Sequence, residues 1–397
     1  MVTTDHLMID RRILQQALSL REAGYQVELL AGFECQEEDS FEWQGIAVSR
    51  YAYGWSDARA RRVLGPFSRS RGRLPALMSR AAGKAIGLAT GISSFEHFVL
   101  EKILSKSFDV LHVHDFPLLA VAVEVKRRLG CPLVYDAHEL YHAQSQLPPA
   151  VQASYKRREA ALIHKVDAAI TVNEFIAGIM ARDYGCAAPH VILNAAPRLE
   201  AAPEDIRPLA GLAPGTRVVL YQGWLSPERG IDVLVRAATH FPRATSLVVV
   251  GYGAHEADLR RTSASQGTDD GRVVFLGRIE PQQLQSLTGS ADLGVIPYWG
   301  IDLNNTYCSP NKLFEFAAAG LPFVSNDLPF LRSIKERYGF GVLADLGSPQ
   351  AAASAILAIL DDPQRLAVLR ETAKEASNHL LWSNEAEKLL SIYAALR

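Results

Sequence analysis

Cysteine is scarce in this chain of 397 residues. Cys35, Cys131, Cys186 and Cys308 stand far apart and form no CxxC pair, so neither a zinc ribbon nor a disulfide framework is expected, and a reducing compartment fits best. Long apolar runs are missing too. The opening "MVTTDHLMIDRR" has no apolar core of signal-peptide length, and no later run reaches the roughly 18 apolar residues of a membrane span. A soluble or peripheral protein is therefore expected, cytoplasmic in location. A charge excess of either sign is absent as well: the formal charge is -2 and 21% of residues are charged. No global field would gather nucleic acid, and any anion site must be local. What is abundant is apolar residues, at 48%. Over this length they are enough for two cores of roughly 150 to 200 residues each.

Short apolar runs recur, each followed by a segment with helical spacing: "YQVELLAG", "FDVLHVHD", "CPLVYDAHE", "VDAAITVN" and "HVILNA". After a Pro- and Ala-rich stretch at 195–215, read as a linker, the rhythm restarts with "RVVLYQG", "SLVVVGYG", "RVVFLG", "ADLGVIPY", "LPFVSN" and "GFGVLAD". This is the βαβ alternation of a parallel sheet covered by helices, and it occurs twice. The expected fold is α/β, with two Rossmann-like doubly wound domains facing a cleft. Ligands of such sheets bind beyond the carboxyl ends of the strands, so the loops there should carry function. "MVTTDH" supplies almost no first strand, so either the start is truncated or this strand is absent, and the glycine loop that usually follows it is missing. From Ala58 to Ser94 eight basic residues occur without an acid. That pattern reads either as a basic face for anionic lipid or as a solvated insertion.

Several loops bear chemistry. In "VVLYQGWLSPERGIDVLVRAA" a strand ends at Gly223 and Gly230 opens a helix, which places Arg229 where backbone N–H groups already favour an anion. An arginine there can hold a diphosphate through two bonds, although the pattern alone fits a solvated first-turn arginine better. In "SPNKLFEFAAAG" Ser309 is the predicted N-cap, Pro310 the first helical residue and Gly320 the residue after the C-cap. Leu313, Phe314, Phe316 and Ala317 leave Glu315 in a mostly buried setting. Its carboxylate there needs donors, which paired sugar hydroxyls or an internal partner could supply. Gly251 and Gly253 mark a tight turn, as often structural as ligand-binding. His112, His114, Asp115, His138 and Glu139 gather at the ends of two neighbouring strands. HxH with a distant HE lacks the i, i+4 spacing of zinc enzymes, so a metal-free polar site is expected, with His138 toward the cleft and His112 in the core.

The order and spacing of these segments, from "GYQVELL" and "FDVLHVHD" through "YQGWLSPERGIDVLVRAA" to "SPNKLFEFAAAGLPFVSN", resemble the retaining glycosyltransferases of GT-B fold, family 4. "LLWSNEAEKLLSIYAAL" is similar to the terminal helix that in this family crosses back to the first domain. The resemblance implies an acceptor-binding domain at 1–198, joined by 383–397, and a nucleotide-sugar-binding domain at 199–382. It implies Arg229 on the donor diphosphate, Glu315 on the ribose hydroxyls and the backbone of Gly277, Arg278 and Ile279 at the base. It places Gly223 and Cys308, Ser309, Pro310, Asn311 and Lys312 along sugar and phosphates, and His138 near the anomeric centre.

Two departures stand out. Tyr307 occupies the place of the family's first acid, and Trp224 the place of a usual Arg, with Lys312 as the nearest substitute cation. The implied reaction is hexosyl transfer with retention from a UDP- or GDP-sugar to a carbohydrate or lipid-linked acceptor, in polysaccharide or glycolipid biosynthesis. Arg229, Lys312 and His138 would act as catalytic residues, with no metal or other cofactor and no nucleic acid partner. Segment 58–94 adds an expected contact with an anionic membrane at its inner face. A nucleotide-sugar 2-epimerase using Asp115 and Glu139, and a catalytically weak binding subunit, stay open as alternatives.

Overall fold

The computed structural model describes residues 1–5, 10–53, 78, 81–82, 91–198 and 202–396. The basic stretch at 58–94 therefore lies for its larger part outside the described residues. The chain forms two compact units, one of Met1–His142, Leu147–Ile192 and Ala386–Arg397, the other of Ala143–Gln146 and Leu193–Glu385.

Among the described residues the first unit carries eight strands: β1 (Val2–Thr3), β2 (Glu28–Ala31), β3 (Glu34–Trp43), β4 (Ile46–Ala52), β5 (Leu111–His114), β6 (Leu133–Ala137), β7 (Ala168–Thr171) and β8 (His190–Val191). They lie in the order β3-β4-β2-β1-β5-β6-β7-β8. All neighbours pair parallel except β3 with β4. The first strand is thus present, contrary to expectation. It is only two residues long, Val2 and Thr3, yet it pairs with β2 on one side and β5 on the other. The hairpin of β3 and β4 covers one edge, and its turn holds Gln44 and Gly45 at positive φ. On the helix Arg11–Glu22, Ile13 and Ala17 pack against Leu29, Ala31, Ile46 and Val48.

The second unit carries β9 (Arg217–Gln222), β10 (Thr245–Val250), β11 (Val273–Gly277), β12 (Leu293–Ile296), β13 (Phe323–Ser325) and β14 (Val342–Leu343), ordered β11-β10-β9-β12-β13-β14 and parallel throughout. Every residue of β10 and β12 is buried, which is why these strands read as unbroken apolar runs. The strand order reverses between β9 and β12 here, and between β1 and β5 in the first unit. Those are the places where loops diverge and leave room for a ligand.

Two further expectations are corrected. Residues 202–215 are not a free linker: they include the short helix Ile206–Leu209, whose Arg207 bonds Asp292 at 2.7 Å and the Thr216 carbonyl at 2.6 Å. Ile206 is fully buried, so one apolar side chain and one arginine dock a stretch too short to show periodicity. Ser309 is not the cap of the next helix. That helix spans Asn311–Ala318, Pro310 holds the N-cap position without a side-chain bond, and the Ser309 hydroxyl is buried without a partner among the described residues. Gly320 follows the C-cap at φ 63°, as predicted.

Candidate functional site

In the second unit the loops after β9 and β12 bring together residues far apart in sequence. Lys312 is 3% exposed, and its Nζ stands 3.7 Å from the Tyr221 ring centre and 4.6 Å from that of Tyr298. The Arg229 guanidinium lies over the same Tyr298 ring, with Cζ at 4.4 Å. Nε of Arg229 and Nζ of Lys312 have no hydrogen-bond partner among the described residues. Burial, with Arg229 alongside, holds the Lys312 ammonium well below its ordinary range. Burial pushes the Cys308 thiol up to about 11 and the Tyr298 phenol up to about 12, so both are neutral. A permanent guanidinium charge beside a buried lysine nitrogen, with no ion pair to either among the described residues, forms a site that an anion would complete, since burying unpaired charge is otherwise costly.

Glu315 is half-buried, one turn along the helix from Lys312, and accepts a hydrogen bond from Nε2 of Gln222. Gln222 is 1% exposed, and its Oε1 accepts from the Thr288 hydroxyl at 2.9 Å, which fixes the amide orientation and so aims the carboxylate. Neither Gln222 nor the two tyrosines was picked out by sequence reasoning. The available signal was the polar Gln closing the buried run "RVVLYQ".

The glycine pattern proves to be backbone packing. A Cβ on Gly251 would stand 1.9 Å from the Gly223 carbonyl oxygen, and one on Gly230 would stand 2.3 Å from that of Pro297. Three strand-end loops can therefore lie directly on one another. Arg278 is exposed, with Cζ 5.6 Å from the Tyr252 ring centre, and Trp224 meets the same ring edge-on at 5.2 Å. Gly277 ends β11 next to them, with Ile279 half-buried beyond. These residues follow the ends of β9, β10 and β11, three neighbouring strands of the sheet.

In the first unit the ends of β5 and β6 carry a closed charge network. Asp136 is fully buried and accepts from Arg12 Nε and Nη2, both at 2.8 Å, and from Gln16 Nε2 at 2.7 Å. His138 Nε2 lies 3.3 Å from Asp136 Oδ2 and 3.2 Å from His114 Nδ1, while its Nδ1 is 3.5 Å from Asp115 Oδ2. Burial works against the His138 imidazolium, but Asp115 and Asp136 outweigh it and raise its pKa to about 9. Burial pushes the Asp115 carboxyl up to about 7. Asp115 also adopts φ 64°, a strained backbone for a non-glycine residue, and accepts the His138 amide N–H at 3.1 Å.

Burial holds His114 down at about 4. His112 stacks on His114 at 4.5 Å and shares a hydrogen bond with the Tyr393 hydroxyl at 2.9 Å, which places it in the core. His112, His114 and Asp136 offer three ligand atoms within 4.8 Å of one another. The donor set does not suit a metal ion, because both Asp136 oxygens already face the Arg12 guanidinium and a cation would have to stand against it. Sequence reasoning missed Arg12 and Gln16. Their signal was weak: polar residues at i and i+4 on a helix whose buried face mixes Ile13, Ala17 and Leu20 with Gln15 and Ser19.

Two doubly wound sheets, each with polar and charged groups gathered where its strand order reverses, define the GT-B class. The family described as "Glycosyl transferase 4-like domain" matches residues 9–196, and that described as "Glycosyl transferases group 1" matches residues 216–362. The chain belongs to the group 1 glycosyl transferases and is a glycosyltransferase of GT-B type. D-inositol 3-phosphate glycosyltransferase 1 of Catenulispora acidiphila is 27% identical over 308 residues, 72% of this chain and 72% of that protein. The D-inositol 3-phosphate glycosyltransferase of Thermobispora bispora is 28% identical over 316 residues, 72% of this chain and 70% of that one.

Among solved structures, Anabaena HepE with UDP and glucose superposes with a TM-score of 0.72 at 18% identity, covering 99% of this chain and 98% of that one. Sucrose-phosphate synthase from Thermosynechococcus elongatus gives 0.70 at 19% identity, covering 97% and 92%. These likenesses show the shared fold. No helix among the described residues is long and apolar enough to cross a membrane.

Proposed function

We propose that residues 199–382 bind a UDP- or GDP-sugar, that residues 1–198 with 383–397 bind a carbohydrate or lipid-linked acceptor, and that the chain transfers a hexosyl group with retention. The observation that carries the donor assignment is the pair of basic side chains, Arg229 and Lys312, held over one phenol ring with Nε and Nζ unpartnered among the described residues. A diphosphate supplies the missing negative charge. Glu315, aimed by Gln222, takes the ribose hydroxyls, and the backbone of Gly277, Arg278 and Ile279 meets the base. Gly223 and the segment Cys308, Ser309, Pro310 and Asn311 line sugar and phosphates; the buried Ser309 hydroxyl is a further donor there.

In the reaction the bond from the anomeric carbon to the β-phosphate oxygen breaks as the acceptor oxygen bonds the same face of that carbon. The electron pair leaves with the diphosphate, whose growing charge Arg229 and Lys312 offset. The acceptor's proton passes to the departing phosphate oxygen, so no separate base is required. His138, held as an imidazolium by Asp115 and Asp136, contributes fixed positive charge and positions the sugar. The D-inositol 3-phosphate glycosyltransferases and the UDP-bound HepE support a nucleotide-sugar donor and a polyol-type acceptor. A role in polysaccharide or glycolipid assembly, on the cytoplasmic side and in contact with anionic lipid through 58–94, completes the reading.

Thermal unfolding over a panel of nucleoside diphosphates tests it. A ligand at 100 times its dissociation constant adds about 2.7 kcal/mol of stability. UDP or GDP should raise the midpoint, and no shift with either would remove the donor assignment.

A further inference from the structure

We propose that the donor site takes up one proton together with its nucleoside diphosphate, and that Lys312 is the group that receives it. This rests on the donor reading above and adds a chemical step at the same site.

The geometry sets two basic groups against one ring, and among the described residues no acid is hydrogen-bonded to Arg229 Nε or Lys312 Nζ; Glu228 and Glu315 act on them only through space. Arg229 cannot give up its proton, so its charge is permanent. The Lys312 amine is 3% exposed and lies between the Tyr221 and Tyr298 rings, 3.6 Å from where a Cβ on Gly223 would be. Every acid nearby is engaged elsewhere. Glu315, on its own helix, accepts from Gln222. Glu228, beside Arg229, accepts from the Ser226 hydroxyl at 2.8 Å. Asp302 caps the helix Leu303–Thr306 through the Asn305 N–H and accepts the Ser145 N–H at 2.8 Å.

The remaining titratable neighbours are neutral: Cys308 in the preceding loop, Tyr221 at the end of β9 and Tyr298 beyond β12, all with pKa raised by burial. The helix Pro281–Thr288 contributes the uncharged Thr288 through Gln222. The helix Pro363–Ser377 contributes only Lys374 near Gly320, at the opposite end of the Lys312 helix and paired with Glu371 at 2.7 Å.

An ammonium at that position is opposed by burial first and by Arg229 next, which together outweigh the favourable field of Glu315, so the empty site shifts the balance toward the amine. An arriving diphosphate reverses the balance. The amine takes one proton from solvent to become ammonium, no other bond changes, and the new charge pairs with the phosphate. The charge that later helps the diphosphate leave is thus created by the ligand's own arrival. Between the empty-site and occupied-site pKa values of Lys312, affinity should fall about tenfold for each pH unit of increase.

Isothermal titration calorimetry of the full chain with UDP, and separately with GDP, tests this. The titrations use buffers of different ionisation heat at mildly alkaline pH, where the ligand phosphates are fully ionised. The variation of heat with buffer should report uptake of about one proton. In Lys312→Arg, whose guanidinium is charged beforehand, binding should persist with about zero uptake. Binding with the same heat in every buffer, or wild-type uptake in Lys312→Arg, would overturn the proton step and leave the donor assignment standing. Failure of both nucleotides to bind would overturn the donor assignment and the proton step with it.

Discussion

Arg229→Met separates binding chemistry from folding more cleanly than any other single change in this chain. The guanidinium stacks 4.4 Å from the Tyr298 ring centre, and its Nε has no partner among the described residues. Methionine keeps a flexible, polarizable side chain against that ring. No ion pair is lost, and the repulsion that depresses Lys312 is relieved. Unfolding free energy should therefore change by less than about 1 kcal/mol, with a rise as the expected direction. Ligand binding should respond in the opposite sense. A unit charge about 4 Å from a phosphate is worth about 4 kcal/mol at an effective dielectric of 20, and a charge-assisted hydrogen bond about 1.5 to 3 kcal/mol net. Taking about 3 kcal/mol, kcat/KM for donor hydrolysis without acceptor should fall about 150-fold. Because charge accumulates on the diphosphate as it leaves, part of that loss should fall on kcat. The assays are nucleotide release and urea unfolding of the same preparations. A variant within threefold of wild-type kcat/KM, or one that loses activity only in step with about 2 kcal/mol of stability, refutes the assignment.

Other consequences follow from the same contacts. Gln222→Leu removes the donor that aims Glu315, so UDP affinity should drop about tenfold while pyrophosphate, which reaches only Arg229 and Lys312, binds as before; equal losses for both would show that Glu315 does not serve the ribose. Arg12→Met removes the two-bond partner of the fully buried Asp136 carboxylate, leaving Gln16 and His138, and should cost about 3 kcal/mol in chemical unfolding, with part recovered in Arg12→Met combined with Asp136→Asn; a cost below about 1 kcal/mol refutes the pairing. His138 should titrate near 9 by imidazole NMR rather than at its ordinary value. Because the folded pKa is the higher one, its contribution of about 3 kcal/mol is complete below about 6.5 and fades as pH rises through about 9, so the stability gap to His138→Gln should narrow there. A midpoint at or below about 6.5 would refute that linkage.

The strands at the sheet centres were legible because a buried parallel strand must be apolar on both faces, as "SLVVV" is. β1 escaped for the opposite reason. Two residues suffice to pair with β2 and β5, and two residues show no period. β3 escaped because an exposed edge strand has little to bury: "ECQEEDSFEW" is exposed along most of its length and has β4 as its one strand neighbour among the described residues. Within the candidate site, the half-buried setting of Glu315 was legible from its apolar helix, whereas the glycine turn beside Arg229 by itself pointed to a solvated side chain, and only the family resemblance set it on a diphosphate. Arg12 and Asp136 could not be paired, since 124 residues separate them and each sits in an otherwise ordinary element. Ser309 was misread because serine before proline looks like a cap, whereas the backbone turns one residue later and buries the hydroxyl.

Trp224 and Lys312 are best understood together. The family resemblance leads one to expect a cation directly after Gly223, and this chain has there a tryptophan that is 52% exposed and packs edge-on against Tyr252. The positive charge nevertheless reaches the same turn, because Lys312 extends from the opposite helix until its Nζ stands 3.6 Å from the Cβ position of Gly223. The replacement is not equivalent. An arginine on the loop would be charged at any working pH, whereas burial and Arg229 disfavour the ammonium form of Lys312, and a bound anion would favour it, as proposed above. Moving the cation from loop to helix thus changes a constant charge into a ligand-dependent one. The first unit shows the contrast: Arg12, Asp136 and His138 are paired with one another whatever is bound, so their charges serve as fixed scaffolding.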